Sequence, residues 1–302
     1  MTLRRWQVQI LHRPPNMTSI EFPTHMHLHP HATVADYDEV GRLAHEHSEN
    51  PFLVFLPEIP DVAVSEFQLI SDGSRALHRT YQQRDKKNSN HGVSLDMNFA
   101  RTRALSEAVF NTGLVIASIH PSWDEQVAAD NSVALRKNHC LKPTFLEAIE
   151  TLVIELPQIV RVIQKRDNYA ASNFTRILTH STSNIPEFAG LDSIKCLIEI
   201  GSLHFQLAEK LSDKGIPVTV SGDSTIEKLP GAFERGVGYL LAGGKVTDLD
   251  LELITLEDAL NNDILATSTA EKQRLVDSLI ASIDKRNWGK SYEIVAGAVN
   301  NR

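Results

Sequence analysis

The strongest constraint on this chain's fold is an alternation. Short apolar runs of strand length recur along its 302 residues, and nearly every pair is separated by a stretch with helical periodicity. The runs are 19–22, 52–56, 93–99, 114–119, 176–179, 195–200 and 216–220. The fourth, Leu114-Val-Ile-Ala-Ser-Ile119, is apolar at nearly every position, as in a strand covered on both faces. Strand–helix alternation of this kind predicts an α/β domain around a parallel sheet. A closed barrel and a doubly wound open sheet both satisfy it. No glycine-rich phosphate loop follows an early strand, which argues against a nucleotide fold.

Between the runs, helices are expected over 34–47, 102–111, 203–214, 231–241, 256–261 and 270–285. A long helix is expected from Phe145 to about Lys165, kinked at Pro157. Residues 61–91 are the least regular part, and an eighth strand there would favour an eight-stranded barrel. Residues 1–17 read as an N-terminal extension and 18–302 as one domain.

Composition narrows the function classes. The 30 basic residues against 38 acidic give a net charge of −8, so no extended nucleic-acid surface is expected. No apolar run approaches the roughly 18 residues of a membrane span. Only two cysteines occur, Cys140 and Cys196, without metal-type or redox-type spacing, which points to a reducing, cytoplasmic setting.

Histidine is the unusual count, 13 in all, and four crowd into His25-Met-His27-Leu-His29-Pro-His31. Residues i and i+2 of a strand project to one side, so His25 and His27 can share an ion. Further polar groups end the later runs: Asp96 on the third, His120 after the fourth, His180 after the fifth and Asp223 after the seventh. In a parallel barrel all strand C-termini open on one face. There these nitrogen and oxygen donors would form a pocket for Zn, Mn or Fe, one or two ions per chain. His12, His78, His91, His139 and His204 read as structural or surface residues. No G-x-S-x-G elbow surrounds Ser118 or Ser122.

These motifs taken together, Thr24-His-Met-His27, Ala117-Ser-Ile-His120, Thr179-His180 and the segment Gly215 to Ser224, resemble the polymerase and histidinol phosphatase (PHP) superfamily over roughly residues 18–262. The resemblance implies a distorted (β/α)7 TIM-like barrel in a single domain, and a metal-dependent phosphoesterase acting on a small phosphorylated substrate. His25, His27, His31, His120, His180 and Asp223 match its metal ligands, with Asp223 and His120 in catalytic roles. Arg101 and Arg103 are the candidates for the substrate phosphate. The chain departs from the pattern at three places: Glu58 is followed by Ile59 instead of histidine, Ser94 stands where a bridging glutamate is usual, and the last strand ends Asp223-Ser-Thr225. Glu58 and Asp96 are the possible additional ligands. Two other readings stay open: an amidohydrolase or deaminase, and a degenerate barrel with a binding role.

Overall fold

The structure is a computed structural model that describes residues 20–29, 42–43, 53–59, 63–83, 102–119, 138–183, 185–189, 191–222, 225–229, 231–263 and 269–300. Five strands form one parallel sheet: β1 (Thr24–His29), β2 (Val54–Pro57), β3 (Val115–Ile116), β4 (Cys196–Gly201) and β5 (Val218–Gly222). Their spatial order is β3-β2-β4-β1-β5. The fold is therefore α/β as expected, but among the described residues the sheet does not close. Its order is not sequential either, because β4 lies between β2 and β1. This corrects the barrel's neighbour-to-neighbour winding; the alternation fits the open, doubly wound arrangement instead.

Two expected strands change. Residues 176–179 belong to a helix, and the seven runs become five strands among the described residues. The third run, 93–99, lies outside them. The first strand is the histidine segment itself, not the residues before it. In 61–91 the described part is helical, as α1 (Val64–Ser71) and α2 (Arg75–Gln83). A third helix, α3, covers 102–109.

The dominant element is α4 (Phe145–Thr182), 38 residues long, which is roughly 57 Å at the standard helical rise. It starts with a capping box, in which the Thr144 side chain accepts from the Glu147 N–H and the Glu147 side chain reaches back to Thr144. Its buried residues, among them Leu152, Leu156, Val160, Ile163, Ala170, Phe174 and Leu178, keep one helical stripe past Pro157 and through 176–179. Arg176-Ile-Leu-Thr179 has the composition of a strand, and only the phase of its neighbours shows that it continues the helix.

Both sheet faces are covered. Val54, Leu56, Met26, Leu28, Cys196, Ile198 and Ile200 pack under α4 and α5 (Gln206–Ser212), against Phe174, Leu178, Leu207 and Leu211. Phe55, Ile116 and Leu197 project the other way, onto Phe67, Ile70, Tyr81, Leu105 and Val109 of α1 to α3. Helices α6 (Ala232–Leu241) and α7 (Asp248–Asp263) pack on the first half of α4. Helices α8 (Thr269–Ser282) and α9 (Trp288–Asn300) close a further cluster around Leu256, Val276 and Tyr292. None of the described helices is long and apolar enough to cross a membrane.

This winding fixes where a site can form. From β1 through β2 to β3 the chain steps in one direction along the sheet, and α1 to α3 lie on one face. From β3 through β4 to β5 it steps back, and α4 and α5 lie on the opposite face. A common crossover hand requires that reversal. Connections leaving the neighbouring strands β2 and β4 thus run over opposite faces. The carboxyl ends of those strands are the usual ligand position in open α/β sheets.

Candidate functional site at the carboxyl edge of the sheet

Strand register brings three polar residues to one level at that edge. His27 pairs with Glu199 of β4 on one side and with Ser221 of β5 on the other. Register partners on adjacent strands point to the same face about 4.8 Å apart. His25 lies two residues earlier on that face, beside Leu197 and Thr219. The ring nitrogens of both histidines converge on one atom: His25 Nε2 is 2.6 Å and His27 Nδ1 3.0 Å from Ser221 Oγ. One hydroxyl can donate to one imidazole and accept from the other, so Ser221 can serve both rings at once. His27 is 6% exposed and Glu199 fully buried.

Glu58, directly after β2, closes the same edge. Its carboxylate accepts from Arg166 Nη2 at 3.1 Å and from the Gly201 N–H at 3.0 Å. Its own N–H donates to Glu199 Oε2 at 3.0 Å. Behind it, His204 Nδ1 meets Asp167 Oδ1 at 2.6 Å, and its Nε2 lies 3.9 Å from Glu58 Oε1. Arg166 and Asp167 are adjacent residues of α4, so the long helix carries this clamp to the ends of β2 and β4. Ser118, beyond β3, donates to the Ile59 carbonyl at 2.8 Å and ties down the neighbouring loop.

Of the residues singled out from sequence, His25, His27 and Glu58 meet at this edge. His180 does not end a strand: it is exposed in the last turn of α4, where a histidine suits the negative end of the helix dipole. Its grouping with strand-end ligands is corrected accordingly. Arg103 is exposed on α3, and its carbonyl accepts from Gln82. His31, Asp96, Arg101, His120 and Asp223 lie outside the described residues. Ser221, Glu199, Arg166 and the Asp167–His204 pair were missed. Their weight comes from cross-strand register and from a helix docking over the edge, and neither leaves a local spacing in the chain.

A second polar group lies in the helical half. His139, Cys140 and Asp258 are all buried, and one ligand atom from each lies within 4.8 Å of the others. These three residues are able to hold a metal ion. The carboxylate of Glu155 approaches His139 Nδ1 at 3.2 Å. Burial raises the Glu155 pKa above the usual carboxylate value, and the adjacent His139 and Lys142 offset part of that rise. Burial likewise raises the Tyr292 phenol and the Cys196 thiol. From sequence His139 reads as structural and Cys140 has no metal-type spacing; the partner that changes this is Asp258 of α7, remote in sequence.

Comparisons with protein-family models, with curated proteins and with solved structures found no match to this chain.

Proposed function

We propose that the carboxyl edge of the sheet is a metal-assisted hydrolytic site acting on small phosphate esters. The observation that carries this reading is the convergence of His25 Nε2 and His27 Nδ1 on the Ser221 hydroxyl, beside buried Glu199, at the carboxyl edge of the sheet. Two imidazoles and a carboxylate are a donor set that suits zinc, manganese or iron. His25 and His27 would hold the ion, and Asp223, which follows β5, is the further ligand suggested by the sequence. A divalent ion supplies charge stabilisation to a phosphoryl group and lowers the pKa of water. Within the chain, Ser221 orients the two imidazoles, and Glu199, desolvated next to His27, is placed to take up a proton. Arg166 holds Glu58, and Glu58 in turn holds the Gly201 N–H, so the rim is set before substrate arrives. The ester class rests on the likeness of Thr24 to His27 and Gly215 to Ser224 to the PHP superfamily.

The 2.6 Å contact between His25 and Ser221 supports a second reading, in which Ser221 is itself the nucleophile and His25 its base. One experiment separates them. The chain is loaded in turn with zinc, manganese and iron and assayed on a panel of phosphate esters, alongside the His25→Ala/His27→Ala double variant and Ser221→Ala. The metal reading expects stimulated hydrolysis that the double variant loses and Ser221→Ala lowers without abolishing. The nucleophile reading expects metal-independent hydrolysis that Ser221→Ala abolishes. Absence of hydrolysis by the wild-type chain under every metal overturns both.

A further inference from the structure

The group around His139 lies in the helical half, away from the sheet edge, and has a geometry of its own. The 3₁₀ turn His139–Leu141 supplies two of its members, α4 supplies Glu155, and α7 supplies Asp258. Tyr292 of α9 closes the turn, its hydroxyl lying 2.9 Å from the His139 carbonyl and 2.8 Å from that of Lys142. His139 is 0% exposed, Glu155 4%, Cys140 6% and Asp258 7%.

The two ring nitrogens of His139 have different surroundings. With Nδ1 donating to Glu155 Oε2, 3.2 Å away, His139 takes the tautomer that leaves Nε2 unprotonated. The lone pair of Nε2 then faces Asp258 Oδ2 at 3.2 Å and Cys140 Sγ at 3.4 Å. Three potential ligand atoms, one nitrogen, one oxygen and one sulfur, thus lie close together out of water. Zinc bonds of ~2.0–2.2 Å to nitrogen or oxygen and ~2.3 Å to sulfur, arranged tetrahedrally, give ligand–ligand edges of roughly 3.3–3.6 Å. The two separations from His139 Nε2 match those edges to within about 0.2 Å, and the remaining pair of ligand atoms lies within 4.8 Å.

We infer that His139, Cys140 and Asp258 supply three of the ligands of a buried zinc ion, with Glu155 as the carboxylate that orients His139. The alternative occupant is a proton, giving an imidazolium between Glu155 and Asp258. Net charge does not choose between them, since a zinc ion with a thiolate adds the same charge as a protonated ring with a neutral thiol. Cys140 does choose. A thiol near an imidazolium gains little, whereas a thiolate at that position gains a metal bond. Nitrogen, sulfur and oxygen donors in one set select zinc over the hard ions magnesium and calcium. A carboxylate orienting the far nitrogen of a metal-bound histidine is the usual supporting arrangement. Because all four side chains are buried, the ion's role is to join the 3₁₀ turn, α4 and α7.

The test uses the full chain purified without chelator. Elemental analysis should find about one zinc per chain, retained in the His25→Ala/His27→Ala variant and lost in Cys140→Ala and in Asp258→Asn. Replacement by cobalt should give the wild-type chain a thiolate-to-cobalt charge-transfer absorption in the near ultraviolet. Removing the ion from the wild type should lower Tm, and zinc should restore it. A wild type without tightly held zinc, zinc retained by both Cys140→Ala and Asp258→Asn, or a cobalt form lacking the thiolate absorption would each overturn the assignment. The cobalt spectrum decides even where a variant does not fold. Loss of zinc in the His25→Ala/His27→Ala variant alone would place the ion at the sheet edge instead.

Discussion

Replacing Glu58 should cost stability in a graded and metal-independent way. Its side chain is 9% exposed, one oxygen faces Arg166 at 3.1 Å, and the other accepts the Gly201 N–H at 3.0 Å. Glu58→Ala removes the counter-ion from Arg166 and the acceptor from a part-buried N–H. Breaking a buried pair from one side costs ~3–5 kcal/mol. The Arg166 side chain is 21% exposed and so keeps some water, which places the expected loss at the lower end, about 3 kcal/mol. Glu58→Gln keeps an oxygen for Gly201 and loses only the charge, so about 1–2 kcal/mol is expected. In a double-mutant cycle with Arg166→Met the coupling should be about 1–3 kcal/mol. Urea unfolding followed by far-ultraviolet circular dichroism, with the slope unchanged between variants, gives these values. If Glu58 were instead a metal ligand, the cost would shrink when metal is removed. The clamp reasoning is refuted by a Glu58→Ala loss below about 1 kcal/mol, by an additive cycle, or by a cost that tracks added metal.

Three further outcomes are expected. Gly222→Ala should be severe, because Gly222 has φ +85° and an added Cβ would lie 1.9 Å from the Leu28 carbonyl oxygen; a cost no greater than the ~1–2 kcal/mol of left-handed strain alone would contradict that contact. Phe174→Ala, at 1% exposure under the sheet, should cost ~3–5 kcal/mol by urea unfolding, and less than about 1 kcal/mol would mean that α4 does not pack there. The carboxyl of Asp284 lies below its usual pKa, first because it accepts the Arg286 N–H and then its guanidinium. The native state therefore binds fewer protons than the unfolded chain, and the stability this supplies is present above the ordinary aspartate pKa and fades as pH falls through the native value. Asp284→Asn should flatten the acid limb of a Tm-versus-pH curve, and an unchanged limb would contradict the shift.

Strand–helix alternation and a parallel sheet were legible in the sequence because both rest on local periodicity. Four of the five strands fall within or across the expected runs, and the fifth, β1, lies immediately after its run, on the histidines themselves. What local pattern cannot carry is strand order. Nothing in 54–57 or 196–201 states that β4 inserts between β2 and β1, yet that insertion places Glu199 beside His27 and brings Glu58 to the same edge. His180 shows the opposite failure. A short apolar run before a histidine looks like a strand end until the burial phase from Ala170 through Phe174 to Leu178 is followed. The group of His139, Cys140 and Asp258 was out of reach for a third reason, since two of its members are neighbours and the third arrives from a helix more than a hundred residues later.

The two polar clusters share α4, and that bears on why they are buried at all. Glu155 and the Arg166–Asp167 pair are separated along this helix by about 16 Å. Buried charge of this kind contributes little net stability compared with well-packed apolar side chains, and its attested use is to specify register. The apolar positions of α4 are mostly alanine, leucine, isoleucine and valine, which are tolerant of exchange against a neighbouring surface. A helix of that length could slide by a turn along the sheet and α7 and still bury an apolar stripe. Glu155 must meet His139 while Asp167 meets His204 and Arg166 meets Glu58, and only one register satisfies all three contacts. Pro157 lies between the two clusters, so a bend there would set their relative angle. The same helix that fills the core beneath the sheet thus also fixes the position of the carboxyl-edge rim relative to the helical half.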